Sequence, residues 1–305
     1  IRRPGGGLYG YWTATPKDET GGRFGFGESL DGITWQALPP PKVSGAGEGE
    51  VGAIERIGDR YYMLFGTGGL MTTLVSDRPE GPFVAARKNL RVLAGHTYFA
   101  RFFPTPDGTL VNHHSIARDG QVYFGVLKAV VVDDEGTLRL GWWQGNEKLK
   151  RQTADVKLPS LRPGEMPTVI WLEPAFASER GVIVEGTLTL PASHDTPPVG
   201  LLIAHSKDSG TAVLVHAHGI TELGPMRADG TGFEAEQEVD REWDLGPTAR
   251  FRLLLQGSLI EFYVDDLLVQ CYSLPQPATG QIGLIHGGVS GAIGDLKAWQ
   301  CVREN

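Results

Sequence analysis

The chain has 305 residues, 41% of them hydrophobic and 21% charged, an ordinary globular composition that excludes general disorder. A formal net charge of -8 leaves no basic footprint for a phosphate backbone, so nucleic acid is not an expected partner, and no apolar run is long enough to span a membrane. The 42 glycines and 20 prolines that separate short apolar runs point to an all-β protein with many tight turns.

The first predicted elements are the aromatic-rich runs "LYGYWTA" (8–14) and "RFGFGESL" (23–30), followed by an Asp31-Gly32 hairpin signal and "ITWQAL". A second unit reads "EVGAIERI", "RYYMLFGT", "LMTTLVSD" and "PFVAA", with turn residues between. A third reads "HTYFARFF", "TLVNHHSI", "VYFGVLKAVVV" and "TLRLGWW". Each of these two offers four strands in about 45 residues, the size of a propeller blade. The first unit supplies only the later three strands of one. Residues 1–145 are therefore expected to be β-propeller blades, with the N-terminal part of the ring absent from this chain, because an incomplete ring leaves edge strands unpaired. Upstream sequence or a second polypeptide is expected to complete it, unless the sheets close differently.

Residues 146–168 are polar, carry proline and show no sustained periodicity, so a linker is expected there. From 169 to 305, runs from "TVIWLEPA" to "AIGDLKAWQCV" recur at regular spacing with turn residues between them, the pattern of a β-sandwich. No long amphipathic helix is predicted. The opening "IRRPGGGLYGYW" lacks the apolar segment of a signal peptide, but a mature secreted chain would lack it too, so the compartment stays open. Cys271 and Cys301 are the only cysteines, which excludes a disulfide framework and a cysteine-based zinc site; two buried free thiols are the expectation, with a single bridge between them as the alternative. His113 and His114 are adjacent and on a strand point to opposite faces, while His216 and His218 share a face but lack a third ligand. No metal and no other cofactor is expected.

Three stretches carry a resemblance to a known family. "EVGAIERIGDRYYML" is similar to a segment in which a glutamate starts an inner strand and an aromatic pair opens the next. "GFGESLDGITW" is similar to an S-x-D-x-x-x-W strand pair, and "FRLLLQGSLIEFYVDD" resembles a sandwich motif with a glutamate between apolar residues before a turn. With a blade array ahead of a sandwich, the chain resembles glycoside hydrolase family 32, the invertases, inulinases and levanases, which are five-bladed β-propellers carrying a concanavalin-like or jelly-roll sandwich. Blade patterns of this kind also recur in the arabinanase and xylosidase group. "SLDGITW" resembles the Asp-box of sialidases as well, one residue short of its spacing. Read from the residues alone, Ser29 and Asp31 order a hairpin turn and Trp35 fills the gap between blades.

Glycoside cleavage needs one carboxylic acid to protonate the leaving oxygen and one carboxylate to attack the sugar or activate water. The resemblance makes Glu50, at the head of an inner strand, the general acid; the alternative is a polar strand terminus or the partner of a nearby arginine. Glu48, between Gly47 and Gly49, reads as loop, and Glu55 lies near the turn. The family's nucleophile motif, N-D-P-N-G, does not occur, and the nearest match to its R-D-P is Arg2-Arg3-Pro4, with arginine in place of the acid. The catalytic partners of Glu50 are therefore expected outside these residues, or lost.

"HTYFARFF" sets His96, Tyr98, Ala100 and Phe102 on one strand face and Thr97, Phe99, Arg101 and Phe103 on the other. His96, Tyr98 and Arg101, together with Trp12, are the expected substrate-binding residues; the alternative is a blade core with Arg101 in an ion pair. In the sandwich, Trp171, Trp243, Tyr263 and Trp299 are available for stacking on sugars, although core burial explains most such residues. Glu261 matches a structural feature of the family. The function expected is hydrolysis of fructosides or related furanosides by carboxylate acid/base catalysis, with a carbohydrate as partner. The alternatives are a non-catalytic carbohydrate-binding relative that has lost the nucleophile, and a structural or adhesion module.

Overall fold

A computed structural model describes residues 1–14, 24–44, 50–67, 70–85, 91–93, 97–116, 120, 122–158, 168–193, 195–240, 245–287 and 292–301. The chain divides into two units, residues 1–114 with 124–140 and residues 115–123 with 141–305. Both are built of β-strands, and among the described residues helix is limited to three 3₁₀ turns at Gln144–Leu149, Ser178–Arg180 and Ala217–Gly219. No helix among them is long and apolar enough to cross a membrane.

The first unit opens with an antiparallel sheet of Leu8–Thr13, Phe24–Ser29 and Gln36–Leu38. Its second sheet is a meander, Glu50–Ile57, Arg60–Thr67, Leu70–Ser76 and Phe83–Ala85, with short strands Val43–Ser44 and Arg91–Leu93 added to it. A third begins with Thr97–Thr105, Gly108–Ile116 and Lys128–Val132. Residues 61–66 are buried without alternation. A middle strand reads so when both faces of its sheet are covered, as in a propeller blade between neighbours. One covering face comes from the first sheet, where Phe24 meets Phe65 at 5.1 Å between ring centroids, within a core that includes Met63, Leu74 and Phe83.

The leading strands of these sheets meet. Glu50–Ile57, at the edge of its own meander, lies against both Leu8–Thr13 and Thr97–Thr105. That is the placement of inner strands in successive propeller blades.

The second unit is a two-sheet sandwich. One sheet runs Leu267–Ser273, Leu259–Val264, Thr248–Gln256, Val182–Thr189, Ile293–Gln300, Gln152–Ala154; the other runs Val169–Trp171, Ile282–Ile285, Val199–Ala204, Ser209–Val215, Thr221–Arg227, Gln237–Val239. The two-residue period of Val182–Thr189 sends Val182, Val184 and Leu188 inward to meet Leu201, Ile203, Val213, Phe251 and Phe262, and sends Glu185 and Thr187 outward, while Ile183 is buried as well.

Three local expectations need adjustment. The stretch 146–168 carries structure over its described part: the 3₁₀ turn, strand Gln152–Ala154 paired with Ile293–Gln300, and a bridge from Lys157 to Glu173; residues 159–167 lie outside the described ones. "LIEFYVDDLLVQCYSL" is a hairpin, Leu259–Val264 and Leu267–Ser273, turned by Asp265 and Asp266 at φ 44 and 64°. Two positive φ values in a two-residue loop match the twist of the strands, and aspartate tolerates them. "VYFGVLKAVVV" breaks into Val122–Phe124 and Lys128–Val132. Both cysteines are free, Cys271 buried and Cys301 half-buried, and burial pushes the Cys301 thiol up to about 11.

Candidate functional site

Glu50 is the first residue of its strand, paired across the ladder with Gly66, and its side chain is exposed. The register then shifts between Val51 and Ala53, leaving Gly52 as the extra residue of a bulge. A bulge at this point re-aims the strand end that carries Glu50. Gly52 also meets the next inner strand: a Cβ there would lie 3.2 Å from the carbonyl oxygen of Ala100.

The expected sugar-binding residues fall around that junction in part. Tyr98 is the second residue of Thr97–Thr105, and its side chain is not among those described. Arg101 on the same strand is exposed and donates from Nη1 to the Ala100 carbonyl at 3.0 Å. His96 lies outside the described residues, as does Glu48. Glu55 is half-buried, and its Oε1 accepts from the backbone N–H of Arg56 at 2.9 Å.

Trp12 belongs to Leu8–Thr13 and is 42% exposed. Its indole rests on Gly25, where a Cβ would stand 1.8 Å from Nε1, so the ring lies flat on the sheet with its outer face open. Trp35 has a similar seat on Gly10 and is 44% exposed, its Nε1 donating to the Gly32 carbonyl at 3.3 Å. The turn between them is ordered as its residues imply. Asp31 Oδ1 accepts from the backbone N–H groups of Thr34 (2.7 Å) and Ile33 (2.8 Å) and from the Ser29 hydroxyl (3.1 Å). Those backbone bonds hold the Asp31 carboxyl down at about 2. Arg3, the residue in the place of the family's acid, pairs with Glu28 at 2.7 Å and sits 5.8 Å from the centroid of Tyr9.

Of the sandwich aromatics, Tyr263 is fully buried and donates its hydroxyl to Glu261 Oε2 at 2.6 Å. Trp299 is half-buried beneath Lys150, 4.4 Å from Nζ to the ring centroid; Trp171 packs on the cluster of Val169 and Leu202; Trp243 is outside the described residues. His216 bonds Glu222 at 2.6 Å, His113 is buried, and the side chains of His114 and His218 are not described.

Sequence reading missed an ionic cluster on the outer face of the sandwich. Arg252, 13% exposed, bonds Glu185 and Asp266 and stacks 4.2 Å above the Trp142 ring. Lys150 bridges Glu185 (2.7 Å) and Glu147 (2.6 Å), and Trp142 Nε1 donates to Glu147 at 2.7 Å. Burial opposes ionisation of Glu147, but the bonds from Lys150 and Trp142 outweigh it, and its carboxyl lies below the ordinary value. A charged residue at the outward position of two neighbouring strands, Glu185 and Arg252, was the available signal.

No family model and no curated protein matches the sequence. Solved structures do. A sucrose-6-phosphate hydrolase from Lactobacillus gasseri superposes with a TM-score of 0.64 over 97% of this chain and 64% of its own, at 12% identity. The fold is that of the fructan-processing glycosidases. An exo-inulinase from Aspergillus awamori gives 0.59 over 90% of this chain and 61% of its own, and a fructosyltransferase from A. japonicus 0.55 over 92% and 66%, each at 10% identity. The chain thus spans 61 to 66% of the length of these structures, a propeller followed by a sandwich.

Proposed function

We propose that this chain is the acid-bearing part of a glycoside hydrolase acting on fructosides or related furanosides, with Glu50 protonating the leaving oxygen. The observation that carries the reading is the place of Glu50: it heads the edge strand of a blade, against the leading strand of the next, with its carboxylate exposed to a ligand. Inner strands of successive blades run the same way. Stepping back two residues from the contact of Gly52 with Ala100 reaches Glu50 on one strand and Tyr98 on the other. Tyr98 and Arg101 on that second strand, His96 just before it in the sequence and the indole of Trp12 are the proposed sugar-contacting set. Tyrosine and tryptophan faces stack on the apolar side of a sugar ring, and arginine donates to its hydroxyls.

The second carboxylate comes from residues outside these 305. The solved neighbours are named as a sucrose-6-phosphate hydrolase, an exo-inulinase and a fructosyltransferase, which supports the substrate class. The arginine at position 3 does not reverse the charge of the site, because Glu28 neutralises it. A binding-only reading rests on the missing N-D-P-N-G motif and keeps the same sugar contacts.

The test is sugar release from sucrose, inulin, levan and aryl furanosides by this chain together with the residues that supply the second carboxylate, run beside ligand binding. Release of fructose or another furanose supports the hydrolase. Saturable binding with no release favours the binding relative, and neither with any of these substrates overturns both.

A further inference from the structure

The outer face of the sandwich carries a cleft of about 180 Å³ that the hydrolase reading does not use. Strand register builds it: Glu185 stands opposite Arg252 on one side and Lys297 on the other, and Thr187 stands opposite Arg250. Asp266, from the hairpin turn, and Asp295 close the rim. Three cations therefore face three carboxylates. Such a cleft presents no net charge to attract an ion, yet it is dense in strong donors and strong acceptors. Vicinal hydroxyls of a neutral sugar, each able to give one hydrogen bond and accept others, match that lining.

The inner wall is set before any ligand arrives. Arg252 is held by Glu185, by Asp266 at 2.7 Å and by the Trp142 ring, and Lys150 fixes Glu185 from behind. Fixing these groups in advance removes ordering costs from binding. The rim residues Arg250, Asp295 and Lys297 are exposed, and Arg250 pairs with Asp266 at 3.2 Å. Asp295 sits at φ 51°, a left-handed conformation. It lies where the ladder shifts register between Glu185 and Thr187, and its Oδ2 accepts from the Thr187 hydroxyl at 3.3 Å.

We propose that this cleft is a second, non-catalytic carbohydrate site that takes one neutral sugar ring at the end of an oligosaccharide.

The test is titration of the full chain with sucrose and with a short inulin oligosaccharide, followed by saturation-transfer NMR. Thr187→Phe fills the cleft and is expected to abolish this binding; Arg250→Ala, at an exposed rim position, is expected to weaken it about tenfold. Glu50→Gln is expected to leave it unchanged, so a catalytically silent parent does not affect the outcome. Thermal melting checks that Thr187→Phe folds, and Arg250→Ala decides if it does not. A number of bound sugars per chain that is unchanged in both cleft variants, a cleft site lost only in Glu50→Gln, competition at it by inorganic phosphate, or no saturable binding of either sugar would each overturn the proposal.

Discussion

Gly52 stands against the carbonyl of Ala100 with no room for a side chain between them: a Cβ at position 52 would lie 3.2 Å from that oxygen and 2.9 Å from the carbonyl oxygen of Leu64. The contact joins two strands that begin successive blade sheets, and backbone on both sides of the glycine cannot move aside cheaply. Gly52→Val is predicted to destabilise the chain by about 1–3 kcal/mol, read as a lower urea midpoint. An unchanged midpoint would mean that the two strands are not packed at this point.

The sandwich cluster gives a second prediction. Among the described residues Arg252 touches Glu185, Asp266 and Glu147 together, and its removal leaves Glu185 and Glu147 to Lys150 and Asp266 to Arg250, with the packing on Trp142 lost. Arg252→Ala is expected to cost about 1–2 kcal/mol. Arg252→Lys recovers only part of this, since an ammonium lacks the planar fork that serves several acceptors and stacks on Trp142. Equal stability of the three proteins in denaturant titrations would contradict the account.

A third prediction concerns acid. Backbone N–H groups of Thr34 and Ile33 hold the Asp31 carboxyl at about 2 in the folded chain, below its unfolded value. The sign follows from linkage: a depressed carboxyl stabilises the fold above its unfolded pKa and loses that contribution as pH falls through the folded one. The stability difference between the parent and Asp31→Ala is therefore expected to be constant above about pH 4 and to shrink toward pH 2. A difference independent of pH across that window would show that the turn does not depend on the ionised side chain.

Most strands were legible because aromatic and β-branched runs between Gly, Pro and Asp turns have few other ways to fold. "EVGAIERI" and "RYYMLFGT" became Glu50–Ile57 and Arg60–Thr67 with their expected bounds. Long apolar runs were harder. Asp265-Asp266 divides a run that reads as continuous, since two aspartates signal a tight turn less strongly than Asn-Gly. Short strands such as Gln152–Ala154 are polar and exist only through the ladder of Ile293–Gln300, a partner far away in sequence. Of the candidate site, the strand that carries Glu50 was readable, as were the turn bonds of Asp31. The glycine seats of Trp12 and Trp35 were not, because they depend on register between strands. The cluster around Arg252 was hidden for the same reason: Glu147, Glu185 and Asp266 are spread over more than a hundred residues and meet only when the sandwich forms.

Glu50→Gln compared on two leaving groups tests the central claim most directly. A general acid matters most where the departing oxygen is a poor leaving group and little where it is a good one. In the protein that also carries the second carboxylate, the account predicts that the variant loses about 10²–10⁴-fold in turnover of sucrose while cleaving a nitrophenyl furanoside at close to the parent rate. Unchanged turnover of sucrose by the Glu50→Gln protein would contradict it.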